Sequence, residues 1–229
     1  MRRTALASLA LAFTLLAGTT GANALELAGL QGGRYRLAVT SLKEARFKST
    51  IRQHYDFSCG SAAVATLLTY QYGQPVSEEA VFAQMYAHGD QAKIRKEGFS
   101  LLDIKRYLGA HGYAADGFEV PLEKLAENRL PAIVLISSSG YHHFVVVKGL
   151  VNGRVLIGDP ATGTHAMSRR RFEAIWEDHI LFVVHNRREL ARFNDPADWR
   201  VAPGAPLQLA IIRDGLGHTV LPKHGPGDI

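Results

Sequence analysis

Cysteine is almost absent from this chain, which has a single one, Cys59, among 229 residues. One cysteine cannot close an internal disulfide, and it excludes a zinc site built from several thiolates. The alternatives are an intermolecular disulfide, a buried inert thiol or a reactive thiol. The sequence also lacks a His-Glu-x-x-His motif. We therefore predict neither a metal nor a cofactor.

Long apolar segments are lacking as well, except near the start. Residues 5–17 form an uncharged run behind Arg2 and Arg3, too short to span a membrane comfortably, and the small-residue site Ala22-Asn23-Ala24 follows. This pattern predicts a signal peptide over residues 1–24, cleaved after Ala24, and a periplasmic protein with no stable membrane span. An uncleaved N-terminal anchor is the alternative.

Charge of one sign is not concentrated in the chain. The formal net charge is +5, and loss of Arg2 and Arg3 with the signal peptide would lower it by two. So diffuse an excess gives no reason to expect a nucleic-acid partner. The one dense basic cluster, 169–171, is predicted to be the solvated start of a helix.

Helical patterns fill the first half of the chain and strand patterns the second. Helices are predicted over 61–72, where small and apolar residues occupy nearly every face, and over 77–86 and 100–108, each behind a serine cap. Short β-branched runs predict strands over 132–136, 144–150, 155–157 and 180–184. Asn152-Gly153 predicts a hairpin turn between the second and third of these strands, and a helix is predicted over 168–176, before the last.

This order favours an α+β fold, with N-terminal helices packed on a C-terminal antiparallel sheet. The predicted domain spans residues 44–185, preceded by an extended lead-in over 25–43. Residues 186–229, rich in proline, glycine and charge, form a C-terminal extension whose conformation the sequence does not predict.

Cys59 lies at the start of the first predicted helix, immediately before Gly60 and Ser61. The unpaired N–H groups of a helix start favour a thiolate over a thiol, and the thiolate is the nucleophilic form. A buried structural cysteine that happens to begin a helix is the alternative.

The surrounding motifs resemble those of the double-glycine leader peptidases, papain-like cysteine peptidases that process bacteriocin precursors. The resemblance covers about residues 44–185, and its motifs recur in the family's order: Gln53 to Gly60, Tyr72-Gly73, Gly98-Phe99-Ser100, Leu130-Pro131-Ala132-Ile133, His143-Phe144-Val145-Val146 and Asp159-Pro160. It implies a papain-like fold in which Cys59 is the nucleophile, His143 the base, Asp159 the residue that orients the base, and Gln53 an oxyanion donor.

The chemistry of a cysteine peptidase agrees with these roles. An imidazole must hold the thiolate as an ion pair and later protonate the leaving amine. The predicted hairpin brings His143, which opens one strand, to the same sheet end as Asp159, which closes the next. His142, next to His143 in the chain, is the alternative base. Neighbouring side chains on a strand point in opposite directions, so only one of the two can meet Cys59. The His-Phe-Val-Val pattern of the family favours His143.

Two features depart from the family pattern. Ser58 stands where the family commonly has Asp before the cysteine, which could alter the local turn. Family members usually form the cytosolic domain of a transporter, whereas this chain begins with an export signal. It is more similar to the stand-alone exported peptidase-like proteins of functional amyloid (Fap) secretion operons in Gram-negative bacteria.

The resemblance therefore implies an exported endopeptidase that cuts a polypeptide after small residues such as Gly-Gly. Its partners would be this substrate and components of amyloid secretion. Two alternatives use the same fold: a module that binds a peptide without cutting it, and an acyl-transfer enzyme with the same triad. Retention of Gln53, Cys59, His143 and Asp159 favours catalysis over binding alone.

Overall fold

Two units make up the computed structural model, residues 1–41 and 42–229. The structure describes residues 24–28, 34–38, 40–138 and 140–204. Residues 1–23 of the predicted signal peptide and residues 205–229 of the predicted extension lie outside this part. The first unit contains an antiparallel hairpin of β1 (Ala24–Ala28) and β2 (Arg34–Ala38), a pairing that the sequence analysis did not predict.

The helices precede most of the strands, as predicted. Their bounds are α1 (Leu42–Arg46), α2 (Cys59–Thr66), which continues as a π-helical turn (Leu67–Gln71), α3 (Glu78–His88), α4 (Gln91–Glu97), α5 (Leu101–Ala110), α6 (Glu123–Asn128), α7 (Arg169–Glu173), a 3₁₀ turn (Arg188–Leu190) and α8 (Pro196–Trp199). The predicted serine caps are present, and Ser100 forms a capping box with Asp103. Within the described ranges, no helix has both the length and the apolar character needed to cross a bilayer.

Six strands form one antiparallel sheet in the order β3-β8-β4-β5-β6-β7. Their bounds are β3 (Ala115–Glu119), β4 (Ala132–Ser138), β5 (Tyr141–Val151), β6 (Arg154–Asp159), β7 (Gly163–Ser168) and β8 (Ile180–Val184). Asn152 and Gly153, both with positive φ, form the predicted turn between β5 and β6. The α+β prediction with an antiparallel sheet is confirmed.

Both faces of the sheet are covered by apolar side chains. On one face α2, α3 and α5 pack against alternate residues of β5, Phe144 and Val146. The intervening residues Val145 and Val147 pack on the other face, against Phe172 and neighbouring side chains. Every residue of α2 is buried, as its small and apolar composition predicted. This burial fixes the start of α2, where Cys59 lies, at the centre of the domain.

The segment after the last strand folds back onto the sheet. Lys148 in β5 is fully buried, and its ammonium pairs at 2.8 Å with Asp198 of α8. The same ammonium donates to the carbonyl and the hydroxyl of Ser49, each at 2.8 Å. Asn194 bridges the backbone N–H and C=O of Leu150 beside a bulge in β5. Burial lowers the pKa of Lys148, and the Asp198 carboxylate opposes that shift.

Replacing Asp198 with alanine is expected to destabilise the protein by about 3–5 kcal/mol, because it leaves the buried Lys148 ammonium without its counter-charge. Urea unfolding measures the loss. Glu189→Ala, at an exposed acid in the same segment, should change the free energy of unfolding by less than about 0.5 kcal/mol. Equal effects of the two substitutions would contradict a stabilising role for the buried pair.

Candidate active site

Cys59 is the first residue of α2, and 6% of its surface is exposed. The side chain of Ser58 does not cap the helix. Instead, its hydroxyl accepts from the N–H of Tyr55 at 3.1 Å and donates to the carbonyl of the same residue at 3.0 Å. Ser58 therefore closes the loop before the cysteine, at the position where the sequence departs from the family. The first N–H groups of α2 therefore receive no hydrogen bond from the Ser58 side chain.

His143 and Asp159 meet in the interior, as the hairpin prediction required. Nε2 of His143 lies 2.7 Å from Oδ1 of Asp159, and both side chains are buried. Asp159 also accepts from the N–H of Ala161 at 2.7 Å, and from the N–H and the hydroxyl of Thr162 at 3.3 and 2.7 Å. Four donors therefore hold the carboxylate. Of the three residues that supply them, the sequence predicted His143 but neither Ala161 nor Thr162.

This pair carries strongly shifted pKa values. Burial disfavours the charge on His143, but the hydrogen bond to Asp159 and the effect of the Cys59 thiol outweigh it and raise the pKa of His143 to about 9. Burial is the largest single influence on Asp159 and opposes its charge, yet the hydrogen bond and charge of His143, with the hydrogen bonds from Thr162 and Ala161, together outweigh it and lower the pKa of Asp159 to about 2. Imidazolium and carboxylate therefore coexist at neutral pH.

The remaining ring nitrogen of His143, Nδ1, is buried and has no hydrogen-bond partner of ordinary geometry. Cys59 is nonetheless near enough to raise the pKa of the ring. With Nε2 held by Asp159, Nδ1 is the nitrogen available to the sulfur. The rival His142 is exposed and lies 2.6 Å from the carboxylate of Glu177. The structure thus brings His143, and not His142, onto Asp159.

The charges of His143 and Asp159 make stability dependent on pH. The pKa of His143 is raised from 6.5, so its contribution is complete below pH 6.5 and is lost as pH rises through about 9. The lowered pKa of Asp159 gives a contribution that is present above pH 3.8 and is lost as pH falls through about 2. We expect the free energy of unfolding, measured with urea, to fall between pH 6.5 and 9.5. Asp159→Asn should flatten that slope, and equal slopes would contradict the assignment.

Gln53 lies in the loop before Cys59, with its side chain turned toward the loop backbone. Its Nε2 donates to the carbonyl of Tyr55 at 3.0 Å and, more weakly, to that of Asp56 at 3.4 Å. Its Oε1 is buried without a partner. The structure therefore places Gln53 near the site, with one N–H group held only loosely. A predicted oxyanion donor requires such an available N–H group.

The segment that carries Gln53 is fixed along its length. Ser49 is held by Lys148, and the Thr50 hydroxyl lies 2.7 Å from that of Thr164 in β7. The N–H of Gln53 donates at 3.1 Å to the carbonyl of Pro160, next to Asp159. Gly158 permits this approach, because a Cβ there would lie 2.9 Å from the hydroxyl of Thr50. The β6–β7 turn thus positions Gln53 and Asp159 together.

A cleft of about 970 Å³ opens beside Cys59. The turn from α4 to α5 forms one wall and the start of β5 forms the other. Its lining residues are Asp56, Phe57, Cys59, Arg95 to Leu101, Leu135, Gly140, Tyr141, His142 and Phe144. Cys59 is thus one of the residues that the cleft exposes to a bound molecule.

His54, in the loop before Cys59, pairs with two carboxylates. Its Nδ1 lies 2.6 Å from buried Glu78, and its Nε2 lies 3.2 Å from Glu79. The hydrogen bond that His54 donates to Glu78 raises the pKa of His54. These three side chains are the one group in the described part of the chain with the spacing of metal ligands. Their mutual pairing, and a hydrogen bond from Ser61 to Glu78 at 2.8 Å, account for them without a metal.

Comparison with known proteins agrees with this geometry. The chain matches the model of the Peptidase C39 family over residues 48–188. It belongs to the peptidase C39 family. The predicted kinship with double-glycine leader peptidases and the papain-like α+β fold are therefore confirmed, and the protein is a cysteine peptidase. The matched residues include Gln53, Cys59, His143 and Asp159.

Two relatives share most of their length with this C39 peptidase. It is 40% identical to the probable functional amyloid protease FapD of Pseudomonas aeruginosa over 168 residues, which cover 72% of this chain and 74% of that one. It is 38% identical to the protein of the same name from Pseudomonas fluorescens over 194 residues, 84% of this chain and 83% of that one.

A solved structure shares the fold. The peptidase domain of ComA, a bifunctional ABC transporter of Streptococcus that is involved in quorum sensing, superimposes with a TM-score of 0.50. The sequences are 23% identical, and the match covers 59% of this chain and 97% of that domain. The C39 fold is thus present here in a chain that extends further at both ends.

Proposed function

We propose that this C39 peptidase is an exported endopeptidase that cuts a protein of a functional amyloid system after small residues such as Gly-Gly. The observation that carries the proposal is the meeting of His143 and Asp159 in the interior, with the free ring nitrogen of His143 available to Cys59. Cys59 is the one cysteine in the chain, so a thiol mechanism depends on it.

In the first half of the reaction, the Cys59 thiolate attacks the carbonyl carbon of the scissile peptide bond. His143 is protonated near neutral pH because its pKa is raised to about 9, and it gives its proton to the leaving amine. The products are a thioester on Cys59 and a free amine. Asp159 stabilises the imidazolium and fixes the ring through Nε2.

In the second half, His143, now neutral, removes a proton from water, and the oxygen of that water attacks the thioester carbonyl. The carboxylic acid product leaves, and Cys59 returns to the thiolate paired with the protonated imidazole. In both halves the carbonyl oxygen gains negative charge, and the N–H of Cys59 and Nε2 of Gln53 are the donors that we assign to it. Gln53 exchanges its weak bond to the Asp56 carbonyl for this interaction.

The substrate class rests on kinship. The two relatives of highest coverage are named as probable functional amyloid proteases. The cleft of about 970 Å³ beside Cys59 is the place where we expect the substrate to bind. Small residues before the scissile bond would let a peptide approach Cys59, whose surface is almost entirely buried, since a larger side chain would have to displace the cleft wall.

The test uses purified exported proteins of the amyloid system, incubated with the wild type and with Cys59→Ala and followed by mass spectrometry. Cleavage after Gly-Gly or another small pair by the wild type alone would support the proposal. Capture of an uncut protein by both variants would identify a binding module, and transfer of the acyl group to an amine would identify an acyltransferase. Cleavage by Cys59→Ala would overturn the catalytic assignment.

Export has a separate test. Cell fractionation should recover the protein from the periplasm, with a mature N-terminus at Leu25 because cleavage is predicted after Ala24. Substituting Ala22 and Ala24 with bulky residues should leave an uncleaved precursor. A cytoplasmic protein that retains Met1 would contradict the export part of the proposal.

A further inference from the structure

Tyr141 is an exposed residue at the start of β5 to which the proposed mechanism gives no role. Half of its surface is exposed, at 50%. Its ring nevertheless stacks on the imidazole of His143, with centroids 5.7 Å apart and an interplanar angle of 28°. Its hydroxyl donates to the backbone carbonyl of Asp56 at 3.0 Å. The Tyr141 side chain therefore contacts the candidate site twice, at His143 through its ring and at the loop before Cys59 through its hydroxyl.

The Asp56 carbonyl is the acceptor that Tyr141 shares with Gln53, whose Nε2 reaches it at 3.4 Å. The pKa of Tyr141 is raised, first by burial of its hydroxyl and then by the charge of Cys59, which agrees with a position among the reacting groups. Hydrogen bonding from the Gln53 side chain opposes this shift, and the charges of Asp56 and Asp159 add to it. Its hydrogen bond therefore connects the strand of the base with the loop of the oxyanion donor.

We propose that Tyr141 is a positioning residue that steadies the His143 ring and releases Gln53 for the oxyanion. The inference rests on the roles proposed above for those two residues. Asp159 fixes the ring at Nε2, but Nδ1 has no hydrogen-bond partner of ordinary geometry, so stacking from Tyr141 limits the tilt of the ring toward or away from Cys59.

The second effect concerns the Asp56 carbonyl. When the N–H of Gln53 turns to a substrate oxygen, the hydroxyl of Tyr141 remains as a donor to the carbonyl that Gln53 leaves. Without that hydroxyl the carbonyl would lose its remaining side-chain donor, and Gln53 would be held back. The hydroxyl thus lowers the cost of moving Gln53 into its catalytic position.

The test is a double-mutant cycle between Tyr141→Phe and Gln53→Ala. Tyr141→Phe keeps the stacked ring and removes the hydroxyl, so kcat should fall about fivefold, the worth of one hydrogen bond, with KM and melting temperature unchanged. In the Gln53→Ala background the same change should have no further effect. Tyr70→Phe removes a hydroxyl outside the cleft, near Lys148, and serves as the control that keeps wild-type kcat.

Stacking is tested with Tyr141→Leu, which keeps an apolar side chain but loses the aromatic face. Tyr141→Leu should lower kcat further than Tyr141→Phe does. The additional loss should persist in the Gln53→Ala background, because the stacked ring positions His143 and does so independently of Gln53. Additive losses from Tyr141→Phe and Gln53→Ala, or a change in KM alone, would overturn the inference and make Tyr141 a substrate contact. Cleavage retained by Cys59→Ala would overturn the proposed function, and this inference with it.

Discussion

Replacing His143 with alanine is expected to lower kcat/KM for peptide cleavage by about a thousandfold or more. In the proposed mechanism, the variant loses both the cation that holds the Cys59 thiolate and the acid that protonates the leaving amine, and acid–base catalysis alone contributes about 10²–10⁴ in rate. Alkylation of Cys59 by iodoacetamide should also require a higher pH than in the wild type. Both rates are measured on the same preparations.

Because His143 is buried against Asp159, its removal also destabilises the fold, and a second variant separates the two effects. In His143→Asn the amide can still donate to the carboxylate but cannot transfer a proton, so the fold is better preserved while cleavage stays low. The matched control is His185→Ala, which breaks an exposed His–Asp pair with Asp116 at 2.9 Å and should retain activity. If His142→Ala abolishes cleavage and His143→Ala does not, the base has been assigned wrongly.

Gln53→Ala is expected to lower kcat by on the order of a hundredfold, about 3 kcal/mol, and to change KM much less. The reason is that its hydrogen bond strengthens as the carbonyl oxygen gains charge, so the loss appears in the transition state rather than in peptide binding. Turnover and binding of one cleavable peptide are compared for both proteins, together with their melting temperatures.

Gln74→Ala, at an exposed glutamine after the π-helical turn, is the control and should behave like the wild type. Gln53 also contributes its backbone N–H to the Pro160 carbonyl, a bond that alanine retains. Equal losses of rate and affinity, or a large drop in melting temperature, would show that the Gln53 side chain supports the fold and not the oxyanion.

The α+β architecture was accessible from the sequence because its local signals are strong. The small apolar residues of α2, the serine caps of α3 and α5 and the Asn152-Gly153 turn each have one preferred structure. The approach of His143 to Asp159 followed from that turn, since a hairpin places the start of its first strand beside the end of its second. These features depend on residues that are close in sequence.

Other elements gave weaker signals. β3 contains Asp116 and Gly117, both uncommon in strands, and it forms by pairing with β8, a partner far along the chain. β7 carries His165 and two small polar residues, and it too is defined by its neighbour. Neither strand has a local pattern that a single sequence reveals. Tertiary pairing decides their conformation.

Side-chain contacts within the site were also beyond the sequence. Strand alternation shows that His142 and His143 point in different directions, but it does not say which of them turns toward Asp159. Neither Glu78, buried beside His54, nor Tyr141, stacked on His143, belongs to a recognisable motif. Such contacts arise when distant segments pack, and residue type alone does not report them.

The pairing of Lys148 with Asp198 has a consequence for the order in which the chain can fold. The family match ends at residue 188, yet the counter-charge for a lysine in the strand of His143 comes from residue 198. During synthesis, β5 emerges well before that carboxylate does. Before Asp198 has been synthesised, burial of Lys148 would leave its ammonium in the core without a counter-charge. This cost opposes the final packing of β5. The segment that carries Asp198 therefore completes the packing of the domain, and β5 reaches its final position only after that segment has been made.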